Sequence, residues 1–232
     1  MGLLKGEFIM KAKLAAQALL KFLAGLLICG ALIFLPAGTL NFFGGWLFMG
    51  VLFIPMLIMG IVLIIKAPSL LEKRLNSKEE QPEQKKVVLL GAAMFILGFM
   101  LAAVCYRFEL LLLPKWLSIA AAVLFLLGYA MYAEVMRENA YLSRTVEVQK
   151  DQKVIDTGLY GIIRHPMYTA TILMFLSIPL ILGSVVAIAA FITYPFLIVL
   201  RIDNEEMVLR HDLKGYTEYQ SKVKYRLIPF IW

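Results

Sequence analysis

Charged residues are scarce in this sequence, and their scarcity excludes a soluble domain. Charged side chains make up only 17% of the chain, against 61% hydrophobic residues, and the mean hydropathy is +0.81. A soluble domain of 232 residues needs far more polar surface than this. The sequence therefore predicts an integral membrane protein.

The positive charge that is present does not indicate a nucleic-acid partner. The net charge is +7, but no basic face with interleaved aromatic residues is visible. In membrane proteins, excess Lys and Arg normally lie in cytoplasmic loops and against anionic lipid headgroups. We therefore expect membrane lipids, and no nucleic acid, around the basic segments.

Cysteine is also rare. The two cysteines, Cys29 and Cys105, lie inside apolar runs, without a CxxC or Cys/His spacing, so we expect neither a disulfide framework nor a metal site. No repeat of 20–50 residues and no low-complexity segment is visible either. One membrane domain over 1–232 accounts for the whole chain.

What the sequence has instead is a series of long apolar runs. They cover 14–35, 46–65, 87–106 and 116–132, and the last can continue as helix to about 140. Runs of this length suit a hydrocarbon core about 30 Å thick. The first is too long for the apolar core of a signal peptide, which has about 7–15 residues. We therefore predict four transmembrane helices, the first of them a retained anchor.

Positive charge alternates between the loops. It is heavy before the first run, absent between the first two, heavy again at 66–86, light after the third run and heavy after the fourth. This pattern predicts a multi-pass protein whose N-terminus, 66–86 loop and 134–168 segment lie on the cytoplasmic side. Because 66–86 mixes both signs of charge, we expect a solvated, partly helical connection there.

Two shorter apolar runs follow, at 167–182 and 185–200, separated by Gly183 and Ser184. Each makes only about 24 Å of helix, which favours a helical hairpin over one long span. The segment 207–232 predicts an amphipathic helix at the membrane interface. The expected fold is all-α: four transmembrane helices, a hairpin and an interfacial helix. A catalytic core at 87–232 then follows an N-terminal two-helix extension with its loop at 1–86.

A polar cluster, Arg164 and His165, stands at the start of the hairpin. Pro166 suits the first position of a helix, where its missing N–H costs nothing. The helix N-terminus and Arg164 together predict an anion site. The simpler interpretation is a lipid-facing arginine beside a helix cap.

A second polar cluster, Arg201, Glu205 and Glu206, follows the hairpin. Arg201 and Glu205 are four residues apart and share a helix face, which on its own can mean a surface ion pair. Because a hairpin brings its two ends together, both clusters should meet, with Tyr160 and Tyr168 beside them. Ionisable groups gathered near a membrane boundary indicate function.

An ordered set of elements resembles the isoprenylcysteine carboxyl methyltransferase family: Thr157-Gly158-Leu159-Tyr160, Arg164-His165-Pro166-Met167-Tyr168, the apolar hairpin, Arg201 with Glu205-Glu206, and finally Tyr216 to Pro229. That family is grouped with the phospholipid N-methyltransferases. The likeness covers about 143–232. It implies a polytopic enzyme that takes S-adenosylmethionine from the cytosol and a lipophilic substrate from the bilayer.

The resemblance also implies roles for individual residues. Arg201 falls where the family holds the substrate carboxylate, and Gln152 stands where some members have His. Asn139, Ser143, Arg144 and Gln149 are further residues that can approach the site. The implied cofactor contacts, together with Arg164 from the anion site, are Gln152, Lys153, Val154, Ile155, Tyr160, Arg164, His165, Pro166, Met167, Tyr168 and Glu205.

Three classes of function stay open at this point. The first is methyl transfer to an isoprenylcysteine-type carboxylate, or to a phospholipid or small-molecule nitrogen or sulfur; an amine would need a base, for which Glu206 is the candidate. The second is an NADPH-dependent membrane reductase of related fold. The third is a non-enzymatic transporter or scaffold. Neither the acceptor nor the oligomeric state follows from the sequence.

Overall fold

The structure of the protein, a computed structural model, describes residues 2–76, 79 and 81–232, with residues 2–9 described by their backbone alone. Within these residues the chain is helical, apart from loops and one isolated bridge between Leu112 and Ser184. A 3-10 turn covers Gly158–Gly161. The helices are α1 (Gly2–Ala37), α2 (Phe43–Lys66), α3 (Pro68–Leu75), α4 (Pro82–Arg107), α5 (Lys115–Glu138), α6 (Pro166–Ile181), α7 (Val185–Phe191), α8 (Tyr194–Asp212) and α9 (Tyr216–Lys222).

Five stretches of the described chain are long and apolar enough to cross a membrane. Four of them are α1, α2, α4 and α5, which contain the four predicted runs. The fifth is Val185–Asp212, made of α7 and α8. The prediction of an all-α membrane protein is confirmed, while the second limb of the hairpin is longer than expected.

That second limb does not end near residue 200. Pro195, which has no N–H to donate, lies in the first turn of α8 and separates it from α7. From there α8 continues through Arg201 and Glu206 to Asp212, because their side chains find partners inside the protein. Gly183 adopts φ +72°, which a residue with a Cβ rarely does, and so permits the turn out of α6.

Close helix packing holds the membrane part together. Lipid is as apolar as the buried side chains, so helices associate in it through tight contact. Phe48, Phe99, Phe125 and Phe191 are buried in one central cluster. α5 lies along α6, and a Cβ at Gly128 would come within 2.8 Å of Met174 Cγ. A glycine is therefore needed where these two helices touch.

The C-terminal part does not form the predicted interfacial helix over 207–232. Residues 207–212 belong to α8, Gly215 in the left-handed region (φ 87°) starts the seven-residue α9, and 223–232 is turn and coil. This last segment crosses the start of α6. The N–H groups of Arg164 and His165 donate to the carbonyls of Tyr225 and Arg226, each at 2.9 Å. Two carbonyls that the predicted C-terminal helix would have paired internally are therefore paired with the start of α6 instead.

Candidate active site

A single polar pocket collects most of the predicted site residues. It lies between the loop after α5, the start of α6, α8 and α9, and holds about 850 Å³ of space, part of it open to the outside. Every predicted site residue lines it except Pro166, buried in the first turn of α6, and Glu206. Those that line it are Gln152, Lys153, Val154, Ile155, Tyr160, Arg164, His165, Met167, Tyr168, Arg201 and Glu205.

The two limbs of the hairpin meet at the hydroxyl of Tyr168. This hydroxyl donates to Glu205 Oε2 and accepts from Arg201 Nε at 2.9 Å. Arg201 Nη2 also donates to the carbonyl of Arg144 at 2.7 Å. The rings of His165 and Tyr168 stack with centroids 5.7 Å apart. The expectation that the hairpin brings both polar clusters to one level is therefore met in the structure.

Glu206 lies behind the pocket wall and is fully buried. Its Oε1 accepts from Arg164 Nε at 2.8 Å and from His165 Nε2 at 3.2 Å. Its Oε2 accepts from Arg210 Nη2 at 3.0 Å and from Arg226 Nη2 at 2.9 Å. One carboxylate thus ties the start of α6, the body of α8 and the C-terminal segment together.

This arrangement changes the interpretation of Arg164 as part of an anion site. Besides Glu206, its guanidinium donates to the carbonyls of Val223 and Lys224, both at 2.8 Å. The N–H groups of Arg164 and His165 are paired with the C-terminal segment as well. Arg164 borders the pocket, but its guanidinium is bonded to other parts of the protein. We therefore assign it the role of fixing the position of the pocket wall.

The predicted solvated loop contributes to the same region. Glu79 Oε2 lies 3.8 Å from Arg201 Nη2, and the fully buried Gln84 donates to the carbonyl of Arg201 at 3.2 Å and to Asn204 Oδ1 at 2.8 Å. For these two residues the expectation of a solvated connection is wrong. Helix α4 begins at Pro82, earlier than predicted, and so carries Gln84 against α8. Ser77, Lys78 and Glu80 of this loop lie outside the described residues.

Three tyrosines form the far wall. Asn139 Nδ2 donates to the Tyr160 hydroxyl at 2.9 Å, and the Tyr219 hydroxyl donates to the Tyr160 carbonyl at 2.7 Å. The Tyr216 hydroxyl is buried and has no hydrogen-bond partner among the described residues. Burial holds the pKa of Tyr160, Tyr216 and Tyr219 well above the usual value for tyrosine, so all three keep their protons at neutral pH. Tyr216 thus offers a hydroxyl to a ligand.

Sequence reasoning missed the wall contributed by the C-terminal part. Leu209 and Leu213 line the pocket, and they continue the four-residue spacing of Arg201 and Glu205 along one face of α8. Extending the helix beyond residue 200 would have identified them. Tyr216 and Tyr219 are three residues apart on the next helix, a spacing that predicts a shared face.

The loop after α5 supplies the remaining wall. Asn139 and Ser143, expected near the site, line the pocket, as do Tyr141, Thr145 and Glu147. The Ser143 hydroxyl donates to Glu147 Oε1 at 3.0 Å. Gln149 and Gln152 hold the loop: the Gln149 amide group donates to the Tyr141 carbonyl at 2.7 Å, and its backbone N–H donates to Gln152 Oε1 at 2.9 Å. No helical or strand periodicity marks these residues.

The sequence of this region matches a known family. Residues 116–214 match the family described as phospholipid methyltransferase, and they include Arg201 and Glu205. This segment is that of a membrane methyltransferase. The resemblance to the isoprenylcysteine carboxyl methyltransferases, grouped with the phospholipid methyltransferases, is confirmed. No curated protein matches the chain significantly.

The fold has a counterpart among solved structures. The structure of the eukaryotic intramembrane Ras methyltransferase ICMT (isoprenylcysteine carboxyl methyltransferase) superposes with a TM-score of 0.51 at 18% identity. The match covers 95% of this chain and 98% of that one. At this identity the likeness concerns the fold alone, and its coverage is large enough to include most of α1 and α2.

Proposed function

We propose that this membrane methyltransferase transfers a methyl group from S-adenosylmethionine to a lipophilic acceptor that carries an ionised carboxylate of the isoprenylcysteine type. One observation carries the proposal: the hydroxyl of Tyr168 joins Arg201 to Glu205 in the wall of the pocket. A fixed cation and a fixed carboxylate thus face the same space.

The chemistry of the pocket suits the proposed cofactor. S-adenosylmethionine, when bound, supplies a methyl group activated by a positive sulfur. Glu205 and Glu147 are available for an ammonium group, and the Lys153 ammonium for a carboxylate. The unpartnered hydroxyl of Tyr216 and the rings around it offer a slot for a purine. No metal is needed for this set of contacts.

The chain's own residues contribute alignment and exclusion of water. Methyl transfer is an in-line displacement, for which correct positioning of the reactants supplies much of the rate. Arg201 can hold an acceptor carboxylate, while Tyr168 and the Arg144 carbonyl fix its guanidinium. A carboxylate is ionised at neutral pH, so no general base is required.

This last point favours a carboxylate over an amine as acceptor. An amine must lose a proton, and the earlier candidate for that step, Glu206, has both oxygens engaged with Arg164, His165, Arg210 and Arg226 behind the wall. The phospholipid amine remains the second candidate acceptor, because the family that residues 116–214 match is named for phospholipid methylation.

The position of Arg201 on α8 supports entry of the acceptor from the lipid. The neighbouring side chain of Leu200 is 57% exposed and that of Phe196, one turn earlier, is 70% exposed. Such apolar surface on a span-length helix faces the bilayer. Because positive charge is concentrated in the loops on this side, we propose that the pocket, the N-terminus and the 66–86 loop lie at the cytoplasmic side.

Calorimetric titration with S-adenosylmethionine, on the purified protein in detergent, tests the cofactor. We expect binding by the unmutated protein and at least about tenfold weaker binding by Glu205→Gln, since a hydrogen bond to a charged group contributes about 1.5–3 kcal/mol. Arg137→Gln, which alters an exposed ion pair with Glu134, is the matched control and should bind normally. The same titration with NADPH tests the alternative function as a reductase. Absence of S-adenosylmethionine binding to the unmutated protein would refute the proposal.

A labelled-methyl assay on a prenylcysteine, phosphatidylethanolamine and a lipophilic thiol in parallel tests the acceptor. Arg201→Gln keeps a donor for the Tyr168 hydroxyl but removes the charge. We expect it to retain cofactor binding and to lose about 100-fold in methyl transfer to the carboxylate. Full activity of Arg201→Gln, or transfer to the amine alone, would contradict a carboxylate acceptor.

A further inference from the structure

A second cavity lies outside the methyl-transfer pocket, and it is lined by Arg144, the residue after Ser143 of the pocket. It is a groove of about 1070 Å³, including space open to the outside, between α1, α2 and α3. Its walls are apolar: Leu19 and Phe22 come from α1, and Leu57 and Ile61 from α2. An apolar groove of this composition suits a hydrocarbon chain.

Three cations line the same groove. Lys21 lies inside the apolar span Met10–Ala37, where a charge is costly unless it meets a partner. Its ammonium donates to the carbonyl of Leu75, the last residue of α3. Arg74 and Arg144 complete the set. None of the described residues that line this groove carries a carboxylate.

Arg74 is held by hydrogen bonds to neighbouring residues. Arg74 Nη1 donates to the Ser143 carbonyl at 3.0 Å, and Arg74 Nη2 to the hydroxyl of Tyr132. Arg74 is half-buried and engaged through both terminal nitrogens, whereas the side chains of Lys21 and Arg144 are exposed, and the Lys21 ammonium keeps two further N–H donors besides its bond to Leu75. Lys21 and Arg144 are therefore the two charges available to a ligand.

We propose that this groove binds a membrane lipid with an anionic headgroup, its chain along α1 and α2 and its headgroup at Lys21 and Arg144. Charge complementarity identifies the occupant, because this apolar groove between span-length helices ends in three cations, with no carboxylate among its described lining residues. The proposal goes beyond the methyl-transfer reaction and does not depend on it.

The groove shares a wall with the methyl-transfer pocket. The side chain of Arg144 lines the groove, while its carbonyl accepts from Arg201 Nη2 at 2.7 Å. Ser143 lines the pocket, and its carbonyl accepts from Arg74. A lipid headgroup on Arg144 therefore steadies the peptide that holds Arg201.

Gly60 offers a way to fill the groove without a clash. A Cβ added at Gly60 would have no neighbour within 4 Å, and Gly60 lines the groove. Gly50, on the same helix and outside the groove, has the same open surroundings. Gly60→Leu should therefore block the groove, and Gly50→Leu is its matched control.

Native mass spectrometry of the full chain in detergent, with phosphatidylglycerol and phosphatidylcholine in equal amounts, tests the proposal. We expect a preference of about 25-fold for phosphatidylglycerol, since each cation near an anionic headgroup contributes roughly fivefold. The double variant Lys21→Gln/Arg144→Gln should bind both lipids equally. Gly60→Leu should retain neither, and Gly50→Leu should match the unmutated protein.

Three results would overturn the proposal. They are equal retention of both lipids by the unmutated protein, undiminished phosphatidylglycerol on Gly60→Leu, and displacement of the lipid by soluble glycerol phosphate, which would indicate a site for a free phosphate. If Gly60→Leu does not fold, the double variant decides alone, because both of its substitutions are at exposed side chains.

Discussion

The substitution Glu206→Gln probes the carboxylate that ties three segments together. Glutamine has the same shape and keeps one oxygen, so two of the four contacts at this position can survive. The other two donors then face an amide nitrogen, which cannot accept from them. Arg210 is half-exposed and can turn to water, but the Arg164 side chain is only 8% exposed and its charge stays buried without its partner.

The expected loss is large for a single isosteric change. Breaking a buried ion pair by removing one partner costs about 3–5 kcal/mol. In a chain of this size that corresponds to a fall in melting temperature of roughly 6–20 °C. Thermal unfolding in detergent, followed by circular dichroism, measures it. Glu205→Gln is the matched control, because Glu205 accepts a bond from Tyr168 and glutamine keeps an oxygen that can accept it; its melting temperature should fall by less than about 4 °C.

The same variant separates a positioning role from catalysis. If Glu206 only holds the wall, methyl transfer per folded molecule should change little when measured well below the lowered melting temperature. A general base contributes about 10²–10⁴-fold to a rate. An unchanged melting temperature together with a rate loss of that size would refute the positioning role and restore Glu206 as a base.

Three further substitutions test other parts of the site and the fold. Tyr168→Phe removes the hydroxyl that joins the guanidinium to the carboxylate, and should weaken S-adenosylmethionine binding by about tenfold in calorimetry; unchanged affinity would contradict this bridge. Burial raises the pKa of Tyr216, so above pH 10 the unfolded chain ionises first and stability falls by about 1.4 kcal/mol per pH unit. Tyr216→Phe should make the alkaline fall in melting temperature less steep, while the parts due to Tyr160 and Tyr219 remain, and should not lower stability at pH 7; an unaltered slope would count against a raised pKa of Tyr216. Gly44→Ala places a Cβ 2.7 Å from the Ile181 carbonyl oxygen and should cost about 1–3 kcal/mol, whereas Gly50→Ala, with open surroundings, should melt like the unmutated protein.

Much of the architecture could be predicted because membrane spans depend on local composition. The runs at 14–35, 46–65, 87–106 and 116–132 lie within α1, α2, α4 and α5. A span must satisfy its backbone by itself and present apolar side chains to lipid, and both requirements can be recognised in a single run of residues.

The helix ends were predicted less well, because charge does not stop a helix whose polar side chains are paired inside the protein. α8 continues through Arg201 and Glu206 to Asp212, beyond the apolar run. In the same way, the mixed charges of 66–86 predicted a solvated connection, yet Gln84 in this segment is fully buried against α8. Partners far along the chain decided both outcomes.

The sequence by itself determined the membrane class, the helical hairpin and the meeting of Arg201 and Glu205 with Tyr168, because each follows from hydropathy or from helical spacing. Only the tertiary structure decided the role of Glu206. Its position on α8 makes it a neighbour of Glu205 along the chain, but helical rotation turns it away from the pocket, toward Arg164 and the C-terminal segment. Which of two adjacent carboxylates faces the pocket depends on the packing of the elements around α8, and that packing joins residues more than forty positions apart.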